Sequence, residues 1–187
     1  MKSQIPEDLL LDKFDIRLLV ALQRNAQSTH AQLGEQIHLS ASQVSRRIAR
    51  LQASGLVQRY VALLDPAMAG LGVRAITYVS LLRNGGDEGT AFEKAIAAIP
   101  EVLECYSVTG ESDYILQIVA ASLDDLSESV FKRLTALKGV SSIRSNIVLQ
   151  RIKSTTELPL AHIGRVAGAH AKPTPSVRYT SARLPPD

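Results

Sequence analysis

From Ser40 to Ser54 the chain reads SASQVSRRIARLQAS, with three arginines and no acid. Placed on a helix, Ile48 and Leu51 fall within about 40° of Val44 and form an apolar stripe. Ser42, Gln43, Arg46 and Arg50 occupy the opposite arc, with Arg47 at its edge. These residue types carry the chemistry of DNA recognition. Arginine forks two hydrogen bonds onto guanine, glutamine does the same onto adenine, and serine near a helix start holds a phosphate. Ser42, Gln43 and Arg46, near the start, are therefore the candidates for base edges, and Arg47 and Arg50 for phosphates. A merely solvated charged face is the alternative, and the elements around this segment decide between the two.

Other reactive constellations are missing. Cys105 is the single cysteine, so no internal disulfide forms, and without a second thiol or clustered histidines it makes no recognisable metal site. A buried free thiol is expected there. The four histidines are His30, His38, His162 and His170, none of them between Leu39 and Ala161. Ser112 stands beside Asp113 with no histidine near it in sequence, and no glycine-rich phosphate cradle is present. An enzyme is not expected, nor a cofactor or metal.

The elements that would position the arginine face are legible. Asp12 can cap a first helix of about 13–25, with Asp15 in its first turn and Leu11 stapled onto Ile16. Thr29 with Gln32, and Ser40 with Gln43, are two capping boxes eleven residues apart. They imply a short second helix of about 30–38, a tight turn, and a third helix ended by Gly55. Three helices with a short second-to-third turn are a helix-turn-helix head in which the third helix enters the major groove. Leu56 to Asp65 reads as an extended segment, and Arg59 and Tyr60 would lie in a wing.

From Val73 the periodicity changes. Val73–Leu82, Val102–Thr109, Tyr114–Ala121 and about Val140–Lys153 are strand-like, the last with Ile143, Ile147 and Leu149 on one face. Asn84-Gly85-Gly86-Asp87 is a loop before a helix carrying Phe92, Ile96 and Ile99 and ended by Pro100. Gly110 to Asp113 is a hairpin turn. Ser122 caps a second helix with Leu123, Leu126, Val130, Leu134 and Leu137 in one stripe. The order β-α-β-β-α-β is ferredoxin-like. The expected organisation is an α+β chain with a winged helix-turn-helix at 9–58, a linker at 59–72, a βαββαβ domain at 73–160 and a disordered basic tail at 161–187.

Composition is that of a globular protein: 187 residues, 45% hydrophobic and 21% charged. The net charge of +3 is unevenly spread. Residues 1–65 hold eight Lys/Arg against six Asp/Glu, residues 66–160 nine against eleven, and residues 161–187 four against one. Basic ends and an acidic middle are compatible with a nucleic-acid partner. No apolar run approaches the roughly 18–20 residues a bilayer requires, and Met1 to Leu10 carries acids and a proline, so a cytoplasmic location without a membrane partner is expected.

Leu11-Asp12-Lys13-Phe14-Asp15, Leu39-Ser40, Val44-Ser45-Arg46-Arg47-Ile48-Ala49-Arg50-Leu51, Gly55-Leu56-Val57 and Ala62-Leu63-Leu64-Asp65-Pro66 resemble the head of the Lrp/AsnC transcriptional regulators. Val108-Thr109-Gly110-Glu111-Ser112-Asp113-Tyr114 and Ser154-Thr155-Thr156-Glu157-Leu158-Pro159-Leu160 resemble their effector-sensing domain, of the RAM or ACT-like type. Order and spacing agree from about 9 to 160. The resemblance implies homodimers formed through the C-terminal sheets and assembling into tetramers, octamers or larger discs. It also implies a small effector, usually an amino acid, at contacts between dimers. On that basis Thr109, Gly110, Glu111, Ser112 and Asp113 form the effector rim. Backbone N–H groups of a glycine turn suit a carboxylate, and Asp113 suits an ammonium. A plain hairpin loop in which Asp113 caps the turn is the alternative. Ser141 and Ser142 could line the same pocket.

Two rivals differ in class. Siroheme decarboxylases are similar to this family in both domains, but the second domain here lacks the histidines expected for their acid chemistry. A structural DNA organiser without an effector is the other. Titrating amino acids while following oligomer size and DNA affinity separates it from a sensor.

Overall fold

The computed structural model describes residues 10–82 and 86–163. They fall into two compact units, residues 10–61 with 155–163, and residues 62–154. Most of the expected 161–187 tail, residues 164–187, lies outside the described residues.

The first unit contains α1 (Lys13–Arg24), α2 (His30–Ile37) and α3 (Ala41–Ala53). Each begins with a reciprocal capping box: Asp12 with Asp15, Thr29 with Gln32, and Ser40 with Gln43. These side chains satisfy amide N–H groups that have no partner inside the helix, so the sequence sets all three starts locally. Their apolar faces meet in one core of Leu11, Leu18, Leu19, Leu22, Leu33, Ile37, Val44, Ile48 and Leu51. Between α2 and α3 the chain reverses through His38, in the left-handed region at φ 60°, and Leu39 N–H donates to Gly34 O at 2.9 Å. A Cβ on Gly34 would collide with the Leu39 carbonyl oxygen, so the turn closes this tightly only over a glycine. Gly55, at φ 76°, turns the chain out of α3 as expected.

Two details of the chain differ from the pattern read along it. Residues 56–65 form no strand, so the head is trihelical without a paired wing, and Arg59 and Tyr60 lie in irregular chain. Residues 155–160, expected in the second domain, pack with the helical unit. Leu158 N–H donates to Gln23 Oε1 at 2.6 Å, Arg24 pairs with Glu157 at 3.1 Å, and Leu160 and Ile163 rest against the helical core.

The second unit runs β1 (Val73–Leu81), α4 (Gly86–Ile96), β2 (Val102–Ser107), β3 (Tyr114–Ala120), α5 (Leu123–Asp125), a π-helical turn (Leu126–Phe131), α6 (Lys132–Ala136) and β4 (Val140–Ile147). The sheet order is β2-β3-β1-β4, with every neighbouring pair antiparallel. This is the ferredoxin-like order. Alternate residues of β1 (Ala75, Val79, Leu81) and β3 (Tyr114, Leu116, Ile118, Ala120) face Phe92, Ile96, Ile99, Leu126, Val130 and Leu134. The period-two strands thus bury one face under the helices, leaving Ile76, Tyr78, Ile115 and Gln117 on the other.

Gly86 and Asp87 belong to α4 rather than to the loop, and α4 ends at Ile96, ahead of Pro100. Leu123 is exposed and does not join the stripe of Leu126, Val130 and Leu134. Leu126 and Val130 lie within the π turn and face the core, while Leu123 sits ahead of it at the helix start. β4 stops at Ile147, opposite Ala75, and its pairing with β1 closes on the bond from Val148 N–H to Arg74 O. Ile147 and Leu149 are exposed, and only Ile143 of the expected trio packs on the core. Cys105 is exposed rather than buried, since β2 is an edge strand. Among the described residues, no helix is long and apolar enough to cross a membrane.

Candidate DNA-reading helix and effector cleft

The wheel drawn from sequence holds on α3. Val44, Ile48 and Leu51 are buried, while Ser42, Gln43, Arg46 and Arg50 are exposed and Arg47 is half-buried. The structure therefore brings all five candidates to one side, but it employs them differently. Arg47 Nη1 lies 2.7 Å from Asp15 Oδ1 and 2.9 Å from Asp12 Oδ2. Arg50 Nη2 lies 2.5 Å from Asp15 Oδ2. The two arginines assigned to phosphates are thus held by carboxylates of α1 and its cap. Arg46 has no ion pair among the described residues.

Gln43 is also partly committed. Its Oε1 accepts from Ser40 N–H at 2.9 Å and from the Ser40 hydroxyl at 3.1 Å, closing the capping box. A two-bond contact with adenine needs both the oxygen and the amide nitrogen, and here only the nitrogen remains to donate. The Ser42 hydroxyl lies 3.0 Å from that of Ser40.

The electrostatics follow from these contacts. Burial pushes the Asp12 carboxyl up, but the Asp15 backbone N–H and the Arg47 guanidinium outweigh it and hold the group below the ordinary value. Burial opposes the charge on Arg47, yet Asp15 and Asp12 raise its pKa further, so it stays a cation. Asp15 itself is fully buried. Sequence alone placed Asp15 in the first turn of α1 and did not pair it across 32 and 35 residues with Arg47 and Arg50.

In the second unit, a cleft of about 680 Å³ is lined by Tyr78, Ser107, Val108, Thr109, Glu111, Ser112, Ile115 and Arg144. Three of the five expected rim residues line it. Gly110 does not, but at φ 127° it makes the turn that carries them, a conformation that strongly favours glycine. Asp113 does not line it either. Its Oδ2 accepts from Leu81 N–H at 2.7 Å, and its own N–H donates to Val79 O at 3.0 Å, so it fastens the turn to β1. Ser141 is likewise spent on a hydrogen bond to Ser80 O at 2.9 Å, and neither it nor Ser142 lines the cleft.

Sequence reading missed Tyr78 and Arg144. They are register partners on β1 and β4, and the Arg144 guanidinium carbon lies 5.1 Å from the Tyr78 ring centroid. Only strand pairing brings together two residues so far apart in sequence.

An AsnC-type helix-turn-helix domain matches residues 11–52, and an Lrp/AsnC ligand-binding domain matches residues 74–158. The chain belongs to the Lrp/AsnC family. This Lrp/AsnC chain is 33% identical over 150 residues to a glutamate uptake regulatory protein of Zymomonas mobilis, covering 80% of this chain and 91% of the relative. It is 32% identical over 159 residues to the leucine-responsive regulatory protein of Haemophilus influenzae, covering 85% and 96%. Among solved structures, a transcriptional regulator of Neisseria meningitidis in complex with L-Met is 40% identical, with a TM-score of 0.79 and coverage of 82% and 99%. An AsnC-family regulator of Agrobacterium tumefaciens is 29% identical, with a TM-score of 0.77 and coverage of 81% and 99%. The family is one of transcriptional regulators rather than enzymes, and this member is a DNA-binding regulator with a helix-turn-helix head and a ferredoxin-like sensing domain.

Proposed function

We propose that this regulator reads a specific DNA sequence through α3 and tunes its assembly and DNA affinity to a small amino acid. The observation that carries the reading is the position of Arg46, on the exposed arc beside Ser42 and Gln43. It is a cation without an internal partner among the described residues, on the helix that the head's geometry offers to the major groove. Ser42, Gln43 and Arg46 take the base-reading role; Arg47 and Arg50 stand beside them at the interface.

The effector site is the cleft under the 109–113 turn, with Thr109, Glu111 and Ser112 on its rim and Gly110 and Asp113 shaping the turn. A cation at one wall and an acid on the rim suit a zwitterion: Arg144 for the carboxylate and Glu111 for the ammonium. Relatives named for glutamate uptake and leucine response, and one bound to L-Met, support an amino acid as the class. Homodimers formed through the helix-free sheet face, which carries Ile76, Tyr78 and Ile115, assemble further into tetramers, octamers or larger. The effector shifts that equilibrium, and the chain works in the cytoplasm. The domain plan is a DNA-reading head, a linker around 59–72 and a sensing and assembly domain from 73.

The test compares Arg46→Ala with wild type on a selected operator and on random duplex. Operator affinity should fall by about 1–3 kcal/mol more than random-duplex affinity. Equal losses would reduce Arg46 to a phosphate contact and overturn base reading by this helix. Amino-acid titration that changes neither oligomer size nor operator affinity would overturn the sensing half.

A further inference from the structure

The three cations of α3 are not equivalent. Asp15 is completely buried, and both of its carboxylate oxygens are occupied: Oδ1 by Arg47 at 2.7 Å, Oδ2 by Arg50 at 2.5 Å and by the Asp12 backbone N–H at 3.0 Å. Asp12 adds a second contact to Arg47 at 2.9 Å, and the Arg47 guanidinium lies 5.7 Å from the Phe14 ring centroid. Two carboxylates and two guanidiniums make this cluster neutral, so among the described residues the outer side of α3 presents one uncompensated cation, Arg46, where the sequence shows three.

Withdrawing Arg47 or Arg50 toward a DNA phosphate would leave a buried carboxylate short of a partner, which proteins tolerate poorly. Phosphate contacts add affinity without sequence information, so cations withheld from phosphates lower binding to every duplex and leave base contacts in charge. We propose that Asp15 is a positioning residue for sequence specificity: it locks Arg47 and Arg50 against α1 and keeps them from non-specific phosphate contacts. This rests on the reading of α3 as the DNA-reading helix.

The experiment uses the full chain and measures binding to a selected operator and to random duplex over a range of KCl concentrations. Asp15→Asn, Arg50→Gln, Arg47→Gln, Arg46→Ala and the double variant Asp15→Asn/Arg50→Gln are compared, with folding checked by circular dichroism. Each phosphate contact steepens the dependence of log K on log salt by about 0.9. In the wild-type background, Arg50→Gln and Arg47→Gln should each change that slope by less than half this amount. Asp15→Asn should tighten random-duplex binding, steepen its slope by about one to two contacts' worth, and lower the operator-to-random ratio about tenfold or more. Arg50→Gln in the Asp15→Asn background should then remove about one contact's worth of slope.

Three results would overturn the proposal. The first is a full contact's loss of slope from Arg50→Gln with Asp15 intact, which can be read even if Asp15→Asn does not fold. The second is an Asp15→Asn protein that folds and weakens both duplexes equally, and the third is one that changes neither slope nor ratio. Arg46→Ala separates this failure from failure of the parent reading: if it leaves operator binding unchanged, the observation that carries the reading of α3 is lost, whatever Asp15 does.

Discussion

The Asp113 carboxylate accepts a 2.7 Å hydrogen bond from the Leu81 backbone N–H, beside the irregularity in β1–β4 pairing between Ser80 and Leu81. An acid chosen from sequence for a ligand's ammonium thus serves the strand ladder, at a place where the register shift disturbs it. Asp113→Ala should destabilise the sheet domain by about 1–3 kcal/mol in a denaturant titration, and should weaken effector binding by loosening the turn. Asp113→Asn retains an acceptor and should bind nearly as well. Equal losses of effector affinity in both variants would put the negative charge itself on the ligand.

Arg144 should matter for the effector without touching DNA. A charged hydrogen bond contributes about 1.5–3 kcal/mol, so Arg144→Gln should weaken amino-acid binding roughly tenfold to a hundredfold. Calorimetric titration with a panel of amino acids reads this directly. Unchanged affinity for the best ligand would remove Arg144 from the site, while operator binding without effector serves as the control.

Gly34→Ala sets two effects against each other. Helix propensity favours alanine by about 1 kcal/mol, but the new Cβ meets the Leu39 carbonyl oxygen in the turn between α2 and α3. Overpacking of this kind costs about 1–3 kcal/mol and shifts backbone, so the collision should win. Thermal unfolding should show a lower midpoint for the helical unit, with operator affinity falling alongside. A more stable variant would mean that the turn opens without cost.

Tyr114 supplies a pH signature. Burial first, then its hydrogen bond to Glu93 and the charges of Glu93, Cys105 and Asp113, push its pKa up to about 12 from the ordinary 10. The folded state therefore holds the phenol proton where the unfolded chain releases it. Its contribution is complete below pH 10 and is lost as pH rises from 10 through about 12. Stability of Tyr114→Phe, followed by denaturant melts across that window, should fall less steeply than wild type. Parallel curves would show that Tyr114 ionises equally in both states.

Asp12 acts at the other end of the scale. Its carboxyl is held below the ordinary value, so its contribution is present above that value and is lost as pH falls through the lowered folded one. Asp12→Asn should blunt the acid-induced loss of helicity. An unchanged acid limb would show that the contacts with Arg47 and the backbone do not favour the ionised form.

Much of this molecule was legible along the chain because its signals are local. The capping boxes at Thr29 and Ser40 set two helix starts within a residue, and the apolar periods separated three helices from four strands in the right order. The family motifs carried the rest of the architecture. Boundaries slipped where packing between elements decided them: the β1–β4 ladder ended at Ala75 and Ile147, and Leu123 stayed exposed ahead of the π turn that holds Leu126 and Val130.

By itself, the sequence determined which side of α3 is polar, where the hairpin turn falls, and that the second half folds as β-α-β-β-α-β. Each follows from spacing within one element, which the 3.6 and 2.0 residue periods convert directly into faces. Only the tertiary structure decided what those polar residues do. Asp15 reached 32 and 35 residues along the chain to take Arg47 and Arg50, Asp113 turned to a backbone amide, and Arg144 met Tyr78 across paired strands. A charge selects its partner by distance in space, and a one-dimensional pattern holds no record of that distance.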